Sequence, residues 1–230
     1  MSPGRKRPSA LALVAAHDEE VTIARTVKAL AWLGLVGGVV VLADGCTDRT
    51  ADEAVAAGAR VWVAPRRMGK GGAIESALGR MAPADVYLLV DGDVGDTASE
   101  GEALVREVVE NRLDLAIGRF PPQEGGGFGL VKGLSRSAIR ALTGFDPAEP
   151  LSGQRAVRRE VLEACRPLAE GFGVETAMTI DAVRLGFRVG EVPVDMTHRA
   201  TGRSLGGFLH RAGQGADILR AVVPRALRLR

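Results

Sequence analysis

Short apolar runs alternate along the first half of the chain with segments whose apolar residues recur at helical spacing. The apolar runs predict β-strands at 11–16, 38–43, 60–64, 86–90 and 113–117. The segments between them predict helices at 20–33, 47–58, 70–81 and 98–111. This alternation indicates βαβ units, so we expect an α/β fold with a mostly parallel sheet flanked by helices.

The second half begins with a glycine- and proline-rich stretch, 118–130, interpreted as either a linker or a loop that orders over substrate. Beyond it follow a helical pattern at 131–143, a turn at 145–153, the stretch 171–186 and a strand at 187–194. The last segment carries an apolar stripe, expected to pack on the core, at Leu205, Phe208, Leu209, Ala212, Ala216, Leu219 and Val223. Pro224 should kink or end that helix.

Polar motifs follow four of the predicted strands: HDEE at 17–20, ADGCTDRT at 43–50, PRRMGKGGA at 65–73 and DGDVGD at 91–96. Because ligands of open α/β sheets bind at the carboxyl ends of the strands, we expect these motifs to share one site. Asp91 and Asp93 alone would also suit a turn. A divalent cation that carries a diphosphate gives such a carboxylate pair a function, so the combination favours a nucleotide-sugar site.

Taken in order, the motifs resemble those of family 2 glycosyltransferases of the GT-A fold, over residues from about 11 to 215. The family pattern has a Pro-x-x-Asn-Glu segment, an Asp-Asp-Gly-Ser-x-Asp loop, a Gly-Lys-Gly loop and an Asp-x-Asp metal motif. The resemblance extends to polyprenyl-phosphate hexosyltransferases and glucosyl-3-phosphoglycerate synthases. It implies a GT-A, Rossmann-like fold and transfer of a hexosyl group from a UDP- or GDP-sugar donor to a hydroxyl or phosphate-bearing acceptor.

The resemblance implies that the first motif contacts the nucleoside, through Glu19 with Ala15 and His17 beside it. His17 stands where the family has Tyr. In the alternative interpretation, Asp18 caps the following helix and Glu20 lies in its first turn.

The second and third motifs are expected to contact the rest of the nucleotide. By resemblance Asp44 recognises the base, while Asp48 caps the next helix. Cys46 replaces a family Ser and is interpreted as a small buried filler rather than a nucleophile, because no general base is evident beside it. Lys70, at a helix N-terminus, should face the nucleotide or its diphosphate.

The fourth motif is the implied metal motif. Asp91 and Gly92 are assigned to the nucleotide, and Asp93 is assigned to the metal and to catalysis. His198, in a His-Arg segment similar to that of the phosphoglycerate-type relatives, is the further candidate ligand, and Mg²⁺ and Mn²⁺ suit these groups equally. Gly95 stands where polyprenyl-phosphate relatives have Gln, which leaves Asp96 as a substitute.

The acceptor side is marked by basic residues and one carboxylate. Glu175 is the second catalytic candidate, a base for a hydroxyl acceptor, while an ionised phosphate needs none; alternatively it is an acid at a helix N-terminus. Ser152–Arg155 matches a family turn. The candidates for binding the acceptor or its phosphate are Arg119, Lys132, Arg136, Arg199 and Arg203.

Length and composition narrow the class of protein. We expect one domain, 1–230, with a nucleotide-sugar half at 11–117, an acceptor-side half at 118–204 and a basic helix at 205–230. Residues 197–230 hold seven Arg and one Asp, a charge that favours anionic partners. Aromatic residues make up 4%, which argues against nucleic acid, and two widely separated cysteines indicate a reduced, cytoplasmic protein.

Two other functions compete with glycosyl transfer. Arg66–Gly69 superficially resembles a motif of molybdenum-cofactor nucleotidyltransferases, but it follows the third strand here instead of the first. The basic helix suggests a non-catalytic sugar-nucleotide scaffold, or peripheral association with the inner face of the membrane. The N-terminus fits neither a signal peptide nor a membrane span.

Overall fold

The computed structural model describes residues 10–121, 129–196 and 205–227, with the backbone alone for residue 172 and for 205–214. The strands within these ranges are β1 (Ala10–Ala16), β2 (Val36–Asp44), β3 (Arg60–Ala64), β4 (Val86–Asp91), β5 (Leu115–Arg119), β6 (Arg155–Arg158) and β7 (Val189–Pro193). The helices are α1 (Ile23–Ala31), α2 (Thr50–Ala56), α3 (Gly69–Leu78), α4 (Gly101–Val109), α5 (Gly129–Thr143), α6 (Arg159–Ala164), α7 (Val174–Arg184) and α8 (Leu205–Ala226).

These strands form one sheet in the order β3-β2-β1-β4-β6-β5-β7. In the described part of the chain β6 runs antiparallel to β4 and β5, and the other pairs are parallel. The predicted α/β fold with a mostly parallel sheet is therefore confirmed. Since β1 lies between β2 and β4, the carboxyl ends of these three strands are side by side.

The apolar runs become strands because both faces of the sheet are covered. In β1, Ala12 and Val14 contribute to one buried core, whereas Leu11 and Leu13 contribute to the other. A strand buried on both faces has no polar side to alternate with, so its sequence is continuously apolar. All five strands predicted in the first half are present, with ends shifted by up to two residues.

Two elements were not predicted, β6 and α6. The sequence of β6 is Arg-Ala-Val-Arg, which has no apolar run. Its backbone pairs with β4 and β5, which lie far away in the sequence, and this pairing makes it a strand. The predicted helix at 98–111 also divides, into a 3₁₀ turn at Gly95–Glu100 and then α4.

The last helix differs from its predicted orientation. Leu219 and Val223 are each 49% exposed, so the core-packing interpretation is wrong for these two residues. The buried face instead includes Ile218 and Arg225. The Arg225 guanidinium donates from Nε to Asp181 Oδ1 on α7 at 2.7 Å, an ion pair that favours this rotation of the helix.

Pro224 lies two residues before the end of α8, in agreement with the expectation that it ends or kinks this helix. Among the residues that the structure describes, no helix is both long enough and apolar enough to cross a membrane.

Candidate active site

Three of the predicted motifs meet where β1, β2 and β4 end. Ala15 of β1 is level with Asp91, the last residue of β4. The Gly92 N–H donates to the Ala15 carbonyl at 2.9 Å, and a Cβ at Gly92 would lie 3.0 Å from the Ala16 Cβ. Glycine is needed here because the loop after β4 passes this close to the end of β1.

Asp44 anchors the start of α3. Its carboxylate is 5% exposed and accepts hydrogen bonds from the N–H groups of Met68 and Gly69, both at 2.7 Å. These amides belong to the first turn of the helix, which otherwise leaves its N–H groups without partners. The predicted base-recognising carboxylate therefore also fixes the loop that carries Lys70.

The loop after β1 is held by the loop after β2. The Asp18 carboxylate accepts from the Thr47 N–H at 2.7 Å, which lowers the pKa of Asp18. The Glu20 carboxylate accepts from the Arg49 N–H at 3.1 Å. Both acids thus bind the segment that leads into α2. The interpretation of Asp18 as the cap of the following helix is wrong, because α1 begins later, at Ile23.

Two other predictions concern the same loops. Asp48 accepts from the Thr50 N–H at 2.9 Å, so it caps the start of α2 as predicted. Glu19 is half-buried; its carboxylate accepts from the Thr22 hydroxyl at 3.1 Å, and its N–H donates to the Thr50 hydroxyl at 2.8 Å. These contacts orient Glu19, the candidate nucleoside contact, from both sides of the loop.

Lys70, which is predicted to face the nucleotide or its diphosphate, contacts two carboxylates and a carbonyl of the protein. Its ammonium lies 2.5 Å from Asp91 Oδ1, 3.2 Å from Glu175 Oε1 and 3.1 Å from the Gly153 carbonyl. Burial acts to lower the pKa of Lys70, but the charges of Asp91 and Glu175 outweigh it, and the pKa lies above its ordinary value. The lysine therefore joins Asp91, in the predicted nucleotide-sugar half (the donor side), to Glu175, in the predicted acceptor-side half (the acceptor side).

The segment before β6 completes this cluster. Gln154 Nε2 donates to Asp91 Oδ2 at 2.7 Å, and its Oε1 accepts from the Asp91 N–H at 3.2 Å. A Cβ at Gly153 would lie 2.3 Å from both Asp91 Oδ2 and Lys70 Nζ, so a larger residue would separate the pair. Sequence reasoning assigned Gln154 no role, although the match of Ser152–Arg155 to a family turn was a signal for it.

Arg155 supports the same segment from inside the protein. Its side chain is 1% exposed, and its guanidinium donates to the carbonyls of Ser152, Glu175 and Pro150 and to the Thr179 hydroxyl. Burial lowers the pKa of Arg155 to about 10, so the group is still charged at neutral pH. Arg155 thereby connects the turn before β6 with the first turn of α7.

Glu175 lies in the first turn of α7, as one interpretation expected, and its Oε1 is 3.2 Å from the Lys70 ammonium; its role as a base stays a prediction. Asp93 lies half-buried just after β4. Asp91 is engaged by Lys70 and Gln154, and the metal role that the resemblance implies for Asp93 stays a prediction. A carboxylate at a strand end suits Mg²⁺ or Mn²⁺, so the residues present fit such an ion.

Asp96 and Cys46 lie outside this cluster. Asp96 forms an exposed ion pair with Arg25 of α1, which does not support it as a substitute for the relatives' Gln. Cys46 donates from Sγ to the Ala16 carbonyl at 3.5 Å, and burial raises the pKa of its thiol. A thiol with a raised pKa is a poor nucleophile, which agrees with that part of the prediction, but Cys46 is half-buried and not fully buried as expected of a filler.

A groove of about 860 Å³ opens at the acceptor side of the sheet, where β5 and β7 end. Three of the predicted acceptor-binding residues line it together: Arg119, Lys132 and Arg136. Lys132 pairs with Glu149 at 2.6 Å, and Arg136 donates to both oxygens of Asp146 at 2.7 Å. His198, Arg199 and Arg203 lie outside the described residues, as does the Gly125–Gly127 segment.

Comparison with known proteins agrees with this architecture. A family model described as "Glycosyl transferase family 2" matches residues 12–166. Glucosyl-3-phosphoglycerate synthase of Mycolicibacterium paratuberculosis is 33% identical over 202 residues, covering 74% of this chain and 59% of that protein. Glycosyltransferase AglJ of Haloferax volcanii is 29% identical over 195 residues, covering 83% of this chain and 63% of the relative. The chain thus spans about three fifths of the length of these two relatives.

Solved structures match across nearly the whole chain. Glucosyl-3-phosphoglycerate synthase of Mycobacterium tuberculosis, in complex with Mn²⁺, uridine diphosphate and phosphoglyceric acid, has a TM-score of 0.80 and 28% identity. The match covers 95% of this chain and 78% of that one. The same protein with Mg²⁺ and uridine diphosphate also gives a TM-score of 0.80, at 27% identity over 97% of this chain and 84% of that one. The GT-A fold expected from the sequence is confirmed by this similarity.

Proposed function

The chain belongs to glycosyl transferase family 2, and we propose that it transfers a hexosyl group from a nucleoside-diphosphate sugar to a phosphate-bearing acceptor. The observation that carries the proposal is the strand edge itself: Asp91, Gly92 and Asp93 lie beside the ends of β1 and β2. The solved relative binds Mn²⁺, uridine diphosphate and phosphoglyceric acid on the same fold. Those ligands make a UDP-sugar the preferred donor, with a GDP-sugar as the alternative.

On the donor side, we assign Glu19, Ala15 and His17 to the nucleoside, together with Asp44. Asp44 still has a lone pair on each oxygen beyond the two amide bonds that it accepts, so it keeps the capacity to accept a base N–H. Asp93 would hold the divalent cation, whose charge neutralises the departing diphosphate.

On the acceptor side, we assign the acceptor phosphate to Arg119, Lys132 and Arg136, which line a groove together with the acids Glu100, Glu149 and Asp195. Glu175 lies 3.2 Å from the Lys70 ammonium, and we assign to it the removal of the proton from a hydroxyl acceptor. An acceptor that reacts through an ionised phosphate needs no base, and Glu175 then serves in positioning alone. In both cases positioning and charge neutralisation provide most of the rate enhancement.

The single-domain organisation over 1–230, the cytoplasmic location and contact with the inner face of a membrane remain predictions. Membrane contact is supported by three apolar residues at one face of α8, Leu219, Val223 and Leu227, which are 49%, 49% and 63% exposed.

The test of this function is donor binding by Asp93→Ala, measured by calorimetry with UDP-glucose and GDP-glucose, with and without Mn²⁺. The parent should bind one of these donors in a Mn²⁺-dependent manner, and Asp93→Ala should bind it at least about tenfold more weakly. The control is Asp85→Ala, because Asp85 is 70% exposed and precedes β4 at the opposite edge of the sheet. Equal affinity of Asp93→Ala and the parent in Mn²⁺ would exclude the metal assignment, and pyrophosphate release from a nucleoside triphosphate would favour a nucleotidyltransferase instead.

A further inference from the structure

Three side chains with metal-binding chemistry meet at the ends of β1 and β2. They are His17, Asp18 and Cys46, and one ligand atom of each lies within 4.8 Å of the others. We propose that they form a site for Zn²⁺ or a cation of the same class, distinct from the Mg²⁺ or Mn²⁺ position assigned to Asp93. The site shares His17 with the nucleoside contacts of the proposed function, but Zn²⁺ binding is tested without a nucleotide, so its outcome is separate from that of donor binding.

The imidazole of His17 is already oriented as in a metal site. Its Nδ1 lies 2.8 Å from the Asp44 carbonyl oxygen. A carbonyl only accepts, so Nδ1 carries the proton and the lone pair resides on Nε2. A metal-binding histidine typically donates its other ring N–H to a carbonyl or carboxylate in this way, which fixes both tautomer and ring orientation.

Asp18 is the second ligand, and its position is set independently of His17. The Thr47 N–H holds Asp18 Oδ1 at 2.7 Å, and the Thr47 hydroxyl lies 3.3 Å from both carboxylate oxygens. Asp18 Oδ2 is 3.7 Å from His17 Nε2. Tetrahedral ligands at about 2.1 Å from a zinc ion are roughly 3.4 Å apart, so these two atoms need to move by only a few tenths of an ångström.

Cys46 decides the class of cation. A thiolate and an imidazole favour Zn²⁺ over Mg²⁺ or Mn²⁺, which prefer oxygen ligands. On binding, the Cys46 thiol gives its proton to water and its hydrogen bond to the Ala16 carbonyl is replaced by the metal bond. Three protein ligands leave the fourth tetrahedral position for a water molecule.

Two of these ligands depart from the family pattern together. His17 stands where the motif has Tyr, and Cys46 stands where it has Ser. Each replacement alone is compatible with packing or hydrogen bonding. Both replacements introduce a nitrogen or sulfur ligand, and the fold brings them to the same point, next to the predicted nucleoside contacts. A cation there would be specific to this chain's version of the motif.

The experiment is a titration of the full-length, reduced and metal-free protein with Zn²⁺ in competition with a chromophoric chelator, and with Co²⁺ as a spectroscopic substitute. The parent should bind one Zn²⁺, and bound Co²⁺ should show the near-ultraviolet charge-transfer absorption of a thiolate ligand. Cys46→Ser should lose this absorption and bind Zn²⁺ at least about tenfold more weakly, and His17→Gln should also bind more weakly. Excess Mg²⁺ should not compete.

Two controls separate this site from other sources of binding. Cys165→Ser removes the other cysteine, which is buried in the core under α7, and Asp93→Ala removes the carboxylate assigned to the hard cation. Both should bind Zn²⁺ as the parent does, and urea unfolding should show that each variant is folded. Absence of binding by the parent, a thiolate band that persists in Cys46→Ser, or loss of binding in Asp93→Ala with retention in Cys46→Ser would overturn the proposal.

Discussion

The donor side and the acceptor side of this protein hold their functional groups in different ways. On the donor side, backbone N–H groups fix the carboxylates, as with Asp44 at the start of α3 and Asp18 at Thr47. On the acceptor side, the basic groups at the groove pair with carboxylate side chains, Lys132 with Glu149 and Arg136 with Asp146. The donor-side carboxylates are therefore fixed by main-chain groups of the strand-end loops, whereas these acceptor-side cations are fixed by partner side chains.

The two sides meet at the cluster around Lys70. Asp91 comes from the donor side, and Glu175 comes from the acceptor side. Gln154 adds hydrogen bonds to both the carboxylate and the backbone of Asp91. If the two sides differ in this way, substitutions of Lys70, or of residues that support its contacts, should disturb the acceptor side and the contacts around Lys70. They should disturb the strand-end motifs less.

The largest effect is expected for Arg155→Met. The buried guanidinium donates to the Ser152, Pro150 and Glu175 carbonyls, and its loss removes a hydrogen-bond donor from each of them. We expect a loss of about 3–5 kcal/mol in the free energy of unfolding, because a buried acceptor left without a donor costs about 1–3 kcal/mol. Urea unfolding measures this loss.

Arg159→Met is the matched control for Arg155→Met. Arg159 is four residues further along, and its side chain is 34% exposed with a long contact of 3.9 Å to Asp85. Its removal should change the urea midpoint little, because exposed ion pairs contribute little to stability. Similar losses in the two variants would show that Arg155 does not support the acceptor side in the way argued above.

A smaller effect is expected for Lys70→Met, which leaves Asp91 and Glu175 close together without the cation. We expect a loss of roughly 3 kcal/mol in the free energy of unfolding, the lower end for breaking a buried pair. Glu175→Gln in the same chain should offset part of this loss, because it removes one of the two negative charges. The coupling free energy from the double-mutant cycle should be about 0.5–3 kcal/mol.

The pH dependence of the unfolding free energy, compared between the parent and Lys70→Met, tests the ion pairs of Lys70 in a second way. The pKa of Lys70 is raised in the folded protein above its ordinary value of 10.5. Its contribution to stability is therefore fully present below that pH and is lost as the pH rises through the folded value. The difference in unfolding free energy between the parent and Lys70→Met should be constant from neutral pH to about pH 9 and should shrink above pH 10.5. A difference that grows with alkalinity would contradict the ion pairs of Lys70.

Some features of this protein could be predicted from the sequence because they depend on local signals. The strands β1 to β5 and the end-of-strand motifs are local signals, because continuous apolar runs and capping residues depend on neighbours in sequence. Asp48 was correctly predicted as a cap for this reason. The wrong prediction for Asp18 also came from local reasoning. The side chain was recognised as one that caps a backbone N–H, but its partner, Thr47, lies on another loop.

Long-range partners account for the features that were not predicted. The strand β6 owes its existence to β4 and β5, and the burial of Arg155 follows from the carbonyls that surround it. The rotation of α8 follows from the ion pair between Arg225 and Asp181. Local sequence patterns carry no information about such partners.

The smallest effect on stability is expected for substitution of the exposed arginines of the two sides. These variants should stay as stable as the parent, so any change in their kinetics can be assigned to substrate binding. Arg136 pairs with Asp146 on the acceptor side, and Arg25 pairs with Asp96 on the donor side, with guanidinium side chains 49% and 63% exposed. Neither Arg136→Gln nor Arg25→Gln should shift the urea midpoint measurably, because solvent screens both pairs.

Their kinetics should differ. With the ligands of the solved relative, UDP-glucose and phosphoglyceric acid, as trial donor and acceptor, Arg136→Gln should raise the KM for the acceptor by about tenfold, the equivalent of one charged hydrogen bond to phosphate. Arg25→Gln should leave both KM values unchanged, because Arg25 lies outside the groove that Arg136 lines. An equal rise of the acceptor KM in both variants would indicate a general effect of surface charge on an anionic acceptor. It would contradict the assignment of the acceptor phosphate to the groove. A rise confined to Arg136→Gln would show that the Arg136 guanidinium, although paired with Asp146, still binds the acceptor phosphate.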